Sequence, residues 1–297
     1  MQITAQMVKE LREKTGAGMM DSKRALEEKN GDIDAAIQYL REKGIAKAAK
    51  KQSRIAAEGL CNVLVNKNEA VIYELNSETD FVAKNEQFLS LLDKIGNIIL
   101  NSKATNTEEA LALVSGGKSM ETILIEATGT IGEKITLRRV SRIVKKNDQV
   151  FGSYKHMGGR IVSLAVLNGT DEGVAKDIAM QVAASNPRFL TRDDIDKKTF
   201  ETEKHILTEQ ANNENATAAK PKPANVLEKI VEGRLVKYLQ EICLVDQAYV
   251  KDPNISVANY LSSKKSSVVS YVRLAVGEGI EKKEEDFAAE VAAVASK

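Results

Sequence analysis

The chain has 297 residues, 43% of them hydrophobic and 29% charged, which is ordinary for a globular protein and enough for two or more domains with their own cores. Its 43 Lys and Arg against 42 Asp and Glu leave a formal net charge of +1, which argues against a broad basic surface for nucleic acid or an anionic membrane. Cys61 and Cys243 stand far apart, only His156 and His205 accompany them, and no second Cys or His stands at ligand spacing, so a structural zinc site is not expected.

No apolar run approaches the ~18 residues of a membrane span, and Met1-Gln2-Ile3-Thr4 leads directly into an amphipathic pattern. The expectation is a cytoplasmic protein with reduced thiols. Trp is absent and aromatics are 4% of the chain, so cores rest on Ala, Val, Ile and Leu, and stacking platforms for single-stranded nucleic acid are few.

Residues 4–43 read as three short helices: Met7, Val8 and Leu11 mark the first, Met19 and Met20 open the second, and Ile33, Ala36, Ile37 and Leu40 mark the third. Thr15-Gly16-Ala17-Gly18 is a turn, Asn30-Gly31 ends the second helix, and Asp32 caps the third. Gly44 is expected to stop the third helix. Lys47, Lys50, Lys51 and Arg54 then read either as a solvated linker helix or as a local phosphate contact.

Leu60–Val65 and Val71–Leu75 predict a hairpin across the turn-like Asn66-Lys67-Asn68. Phe81, Val82, Phe88, Leu89, Leu92, Ile95 and Ile99 then predict one long helix to about Ser102. The junction, Ser77 to Asn85, sets Asp80 beside Phe81. Ser77 or Thr79 suits a helix cap, and Asp80 suits the positive end of the helix dipole. Phe81 fits equally as the first core residue or as an outward-facing ring, and spacing alone leaves both open.

Glu108–Val114 and Met120–Ala127 read as helices and Ile135–Val140 as a strand. A second unit begins near Val150, with strands Val150–Tyr154 and Ile161–Leu167 joined by a turn containing Gly158-Gly159, then a helix from Asp171 to Ala184. Two polar helices, about Asp193–Gln210 and Asn225–Ile242, flank the low-complexity segment Asn212–Pro223 and predict an antiparallel helical hairpin. Ser267–Val276 completes the second sheet, and Asp286–Ala295, carrying Phe287 and Val291, reads as a C-terminal helix.

A search for catalytic chemistry finds little. Gly117-Lys118-Ser119 resembles the end of a phosphate-binding loop, but Ala112 occupies the place of the required earlier glycine. No G-x-G-x-x-G follows a strand, and neither histidine has a nucleophile or acid at a recognisable spacing. The expectation is a non-enzymatic protein without metal or cofactor.

Two stretches, Leu11 to Leu26 (LREKTGAGMMDSKRAL) and Glu74 to Asn85 (ELNSETDFVAKN), closely resemble the signature segments of the bacterial elongation factor Ts family. The likeness continues through Gly152-Ser153-Tyr154, Gly159-Arg160-Ile161, Ala183–Pro187, Val231–Arg234 and Val276–Glu281, while Asn212–Lys220 is poorly matched. The resemblance implies a guanine-nucleotide exchange factor acting on elongation factor Tu in translation. In that reading Thr79, Asp80, Phe81 and Val82 disturb the partner's magnesium and phosphate site. Arg12, Met19, Met20 and Lys23 grip its nucleotide-binding domain, His156 meets a distal domain, and Phe287 lies on a further contact helix. Met19 and Met20 are explained as well by core packing.

The expected fold class is α+β. It comprises an N-terminal three-helix ubiquitin-associated-like module (residues 1–54) and a two-part α+β core with antiparallel sheets (55–145, then 146–190 with 243–280). A protruding helical hairpin (191–242) and a C-terminal helical module (281–297) complete it. A homodimer or a 2:2 complex with the partner is left open, and no direct nucleic-acid or membrane contact is expected. The alternative is an RNA-binding or ribosome-associated protein using residues 47–54.

Overall fold

A computed structural model describes residues 3–281, which fall into two compact units. Among the described residues, the first comprises 3–143, 157–161 and 274–281; the second comprises Val144–His156 and Val162–Arg273. Both are α+β, each with one three-stranded antiparallel sheet, as the strand and helix patterns predict.

The first unit opens with α1 (Ala5–Thr15), α2 (Met19–Glu28) and α3 (Ile33–Ala49). Leu11, Ala25, Leu26 and Ala36 are fully buried between them, with Ile33, Ile37 and Leu40 packed alongside. The boundaries are set by local chemistry. Thr4 accepts from the Met7 amide, Asp32 accepts from the Ala35 amide at 2.9 Å, and Gly16 ends α1 with φ +66°.

Gly44 does not stop α3, which continues to Ala49. The glycine serves a crossing instead. A Cβ on Gly129 of α7 (Met120–Ile131) would lie 2.6 Å from the Gly44 Cα, so two hydrogen side chains let these helices touch backbone to backbone.

Next come β1 (Glu58–Asn66) and β2 (Glu69–Ser77), paired antiparallel from Glu58 opposite Ser77 to Asn66 opposite Glu69. A short turn, α4 (Asp80–Ala83), precedes α5 (Glu86–Leu100), α6 (Thr107–Ala112), the two-residue strands β3 (Val114–Ser115) and β4 (Lys118–Ser119), α7 and β5 (Thr136–Val144). β5 lies beside β2, giving the order β1-β2-β5. Phe88, Leu92, Ile95 and Ile99 of α5 cover this sheet together with Met120 and Leu124 of α7.

The expected helix from Phe81 to Ser102 is therefore two helices. Asn85 accepts from the Gln87 amide at 2.8 Å and starts a new one, a local bond that breaks the longer periodicity. Likewise Val114 ends in a hairpin, not a helix, because Gly116 and Gly117 take φ +60° and +76° and turn the chain. Lys118 pairs with Glu126 and Ser119 caps α7, so Gly117-Lys118-Ser119 forms no phosphate loop.

Two buried polar arrangements pin the sheet. Tyr73 is fully buried; its hydroxyl accepts from Asn62 at 2.9 Å and donates to the Leu92 carbonyl at 2.8 Å. Gly96 makes room for it, since a Cβ there would stand 2.1 Å from the Tyr73 oxygen. Glu74, also fully buried, accepts from Arg138 at 3.1 Å, from Arg139, and from the Gly277 amide at 2.8 Å. A buried carboxylate held by two guanidinium groups binds the last described segment of the unit to its sheet.

The second unit repeats the strand order of the first. It has β6 (Gln149–His156), β7 (Ile161–Asn168), α8 (Glu172–Ser185), α9 (Lys197–Ala216), α10 (Ala224–Ile242), β8 (Ala248–Tyr249), β9 (Asp252–Ser256), α11 (Val257–Ser263) and β10 (Ser267–Ala275), with sheet order β10-β7-β6. Val174, Ile178 and Val182 of α8 pack with Ala165 and Leu167 of β7. α9 reaches Ala216, inside the segment read as low-complexity, and buries Ala211 on the way. Leu235, Leu239 and Ile242 of α10 pack with Leu207 and Phe189.

Asp177 on α8 gathers three donors: Tyr249 and Tyr260 to Oδ2 at 3.0 and 2.8 Å, and Lys251 to Oδ1 at 2.5 Å. Burial, the largest single influence, raises its carboxyl. The bonds from Lys251, Tyr260 and Tyr249 together outweigh burial and hold it below the ordinary carboxylate range.

Two stability experiments follow from these contacts. Gly129→Ala would add up to ~1 kcal/mol in an open helix by propensity, yet here overpacking against Gly44 reverses the sign, and chemical denaturation should show a net loss of roughly 1–2 kcal/mol. Asp177→Asn should cost about 2 kcal/mol at neutral pH by weakening charge-assisted bonds. Because the folded carboxyl titrates low, this stabilisation is present above the unfolded value near pH ~4 and disappears as pH falls through the lower folded value. Melting curves of both proteins should therefore keep their separation down to about pH 4 and converge below it.

Candidate functional site

The junction between β2 and α4 is built from short-range bonds and two crossed carboxylates. Ser77 donates to the Thr79 carbonyl at 2.9 Å, and Thr79 caps α4 by accepting from the Val82 amide at 3.3 Å. Ser77 therefore ties the turn, and Thr79 is the cap.

Glu133, in the turn between α7 and β5, accepts from the amides of Glu78 and Thr79 at 3.0 and 2.9 Å, and from the Thr79 hydroxyl at 2.7 Å. Glu78 reaches the opposite way, accepting from the Lys134 amide at 2.7 Å and pairing with Arg54 at 3.0 Å. Two neighbouring backbone segments are thus each held by the other's carboxylate.

On this fixed turn the four candidate residues divide by direction. Val82 is half-buried against the core, and Ala83 beyond it is buried. Phe81 is 80% exposed, so it is not the first core residue of the following helix; Phe88 takes that place. Burying a phenyl ring is worth roughly 1.5–3 kcal/mol, most of which this ring does not collect among the described residues.

Asp80 keeps 42% of its side chain exposed and meets Lys84 one turn on, at 2.7 Å. The Lys84 hydrogen bond, aided by the charges of Lys84 and Arg160, holds its carboxyl below the usual range, so it is an anion at neutral pH. A fixed negative charge and a bare ring thus stand next to each other.

A second candidate surface lies on the three-helix module. Arg12, Met19, Met20 and Lys23 line a groove of about 800 Å³ with Ile3 and Val8. Met19 and Met20 are 61% and 66% exposed, so core packing does not explain them. Gln87, in the first turn of α5, also lines this groove and donates to the Gly16 carbonyl at 3.1 Å. That bond ties the α1–α2 turn to the helix that follows the Asp80–Phe81 turn.

His156 belongs to the second unit, exposed at the end of β6 with its ring 6.2 Å from that of Tyr154. Phe287 lies outside the described residues. Of the basic stretch, Lys47 pairs with Asp21, Lys51 donates to the Gly132 carbonyl, and Arg54 pairs with Glu78.

Sequence reasoning missed Glu133, Glu78 and Gln87 as positioning residues. Glu133 acts across 54 residues of chain, and its neighbours Gly132 and Lys134 give no local sign of that role.

Among the described residues no cluster of three or more His, Cys, Asp or Glu is arranged to hold a metal. Cys61 is buried and its thiol is pushed up to about 12, mainly by burial and then by Glu74, which makes it a poor nucleophile. Among the described residues no helix is long and apolar enough to cross a membrane.

Comparison with known proteins shows the family. A sequence model of the family described as Elongation factor TS matches residues 78–278. Elongation factor Ts of Acholeplasma laidlawii (strain PG-8A) is 58% identical over 298 residues, covering the whole of both chains. With a match that begins at the turn carrying Asp80 and a relative similar from end to end, the chain belongs to the elongation factor Ts family.

Proposed function

We propose that this chain is a non-enzymatic guanine-nucleotide exchange factor of translation, which binds elongation factor Tu carrying GDP and hastens GDP release. The observation that carries the reading is the exposed pair Asp80 and Phe81 on a turn locked by Glu133.

A guanine nucleotide is held by backbone amides, a lysine and a magnesium ion that bridges protein and phosphate. A carboxylate brought to that place attracts the ion's shell or repels the phosphate, and a ring beside it wedges packed elements apart. Asp80 already sits as an anion and Phe81 stays 80% exposed among the described residues, so both are free to act on the partner. Thr79 supplies the cap that aims them, and Val82 anchors the turn to the core.

Exchange by this route is reciprocal: the helper weakens nucleotide by the factor by which nucleotide weakens the helper. Couplings of about 1–3 kcal/mol correspond to roughly 5–150-fold. One turn needs a grip elsewhere to deliver that. The groove of Arg12, Met19, Met20 and Lys23 suits it, since exposed methionines adapt to a partner's apolar surface. His156 and Phe287 are assigned to further contacts on the same partner. The partition into residues 1–54, 55–145, 146–190 with 243–280, 191–242 and 281–297 is the working division of these roles. The cytoplasm is the proposed place of action.

The basic stretch of residues 47–54 is a weaker basis for an RNA-binding role, because Lys47, Lys51 and Arg54 are already engaged within the chain.

Two experiments test the reading with a fluorescent GDP analogue on elongation factor Tu. Asp80→Ala with Phe81→Ala should slow stimulated release by about 10–100-fold while leaving the melting temperature nearly unchanged, since Phe81 is exposed and the surface Asp80–Lys84 pair contributes little stability. An unaltered release rate in a folded double variant would sink the mechanism. Glu133→Ala should lower the maximal stimulated rate several-fold with little change in the concentration giving half-maximal effect, and Glu133→Gln, which still accepts hydrogen bonds, should restore part of it. An equal loss in both variants, confined to the half-maximal concentration, would remove Glu133 from a positioning role.

A further inference from the structure

A separate cavity in the first unit is independent of the surfaces assigned to exchange. It encloses about 440 Å³ and is lined by residues of α1, α2, α3, β4, α5 and α7. Seven cationic side chains line it against two carboxylates, Asp21 and Glu126, although the whole chain carries only +1.

Both carboxylates are already committed. Asp21 accepts from Lys47 at 3.1 Å, and Glu126 bridges Arg41 at 2.6 Å and Lys118 at 2.5 Å. Lys14, at the rim, pairs with Glu10 outside the cavity at 2.8 Å. Arg24, Lys43 and Lys94 remain, and among the described residues none of them has a carboxylate within ion-pair reach. The Lys43 ammonium rests 4.5 Å from the Tyr39 ring centroid, with the Lys29 ammonium 5.2 Å from the same ring. The ring holds two like charges near each other without neutralising either.

Three uncompensated cations, from α2, α3 and α5, therefore converge on one concave space whose walls are fixed by the Gly44–Gly129 helix contact. Such a cleft focuses a positive field, and its energy is relieved by an anion that brings several charges into a small volume. The size falls in the range of small-ligand sites, roughly 300–1,000 Å³, and suits a short run of phosphates better than an extended nucleic-acid strand. Lysine and arginine donors arranged around several sides fit phosphoryl oxygens, each of which accepts charge-assisted bonds.

We propose that this cavity binds a small oligophosphate, either inorganic or carried on a nucleoside. Isothermal titration of the full chain with inorganic tripolyphosphate, and separately with ATP, tests the proposal. One-site saturable binding of tripolyphosphate is expected, weakening at least about 10-fold when salt rises from about 50 to 300 mM, because the screening length shrinks. Tighter binding of ATP than of tripolyphosphate would assign the nucleoside-borne source, and weaker binding the inorganic one.

The variant Arg24→Ala/Lys43→Ala/Lys94→Ala should lose binding by at least about 10-fold while melting as the parent does, since no ion pair is broken. The single Lys94→Gln variant should lose a smaller part. Lys145→Ala/Lys146→Ala, which removes two charges that do not line the cavity, should bind as the parent. Absence of saturable binding at about 50 mM salt would overturn the site, as would equal affinity in the triple variant and the parent. Binding to an RNA oligonucleotide without binding to tripolyphosphate would overturn it as well.

Discussion

The Glu133 carboxylate holds the Glu78 and Thr79 amides while the Glu78 carboxylate holds the Lys134 amide, and the candidate site depends on these crossed hydrogen bonds. The three donors that meet Glu133 are the Glu78 amide, the Thr79 amide and the Thr79 hydroxyl. With those satisfied, the last residues of β2 cannot twist freely, and the short turn that follows emerges in one direction. Asp80 and Phe81 stay outside because Val82 and Ala83 fill the inner side of the same turn. A side chain already held in place loses less conformational freedom on meeting a partner, so more of its contact energy is left to act on that partner.

The same unit uses small residues where other folds would use bulk. Gly44 and Gly129 bring α3 against α7, and Gly96 admits the buried Tyr73 hydroxyl. Close approach at the first pair also brings the cations of three helices toward one cavity, which a wider helix spacing would have left as a dispersed surface. A chain with almost no net charge thus carries a strongly positive recess. The balance is kept by carboxylates placed elsewhere in the chain.

Much was legible locally. Asp32 and Thr79 each accept from an amide three residues ahead, and such caps depend only on neighbours in the chain. The hairpin of β1 and β2, the helical pair α9 and α10 and the α+β class follow from alternating and helical periodicity, which burial then matches. The long signature segments carried the family resemblance, because they span a motif that no cap or core alone demands.

What local signals missed shares one cause. Periodicity put Phe81 in line with Phe88, yet Asn85 restarts the helix and rotates Phe81 off the core face. Gly44 read as a terminator because glycine lowers helix propensity, whereas packing against Gly129 outweighs that preference. By itself the sequence determined the main strands and helices, the caps at Asp32 and Thr79 and the family resemblance. Tertiary structure alone decided which apolar side chains stay outside, which carboxylate clamps the turn and where the lysines converge, since each depends on partners tens of residues away.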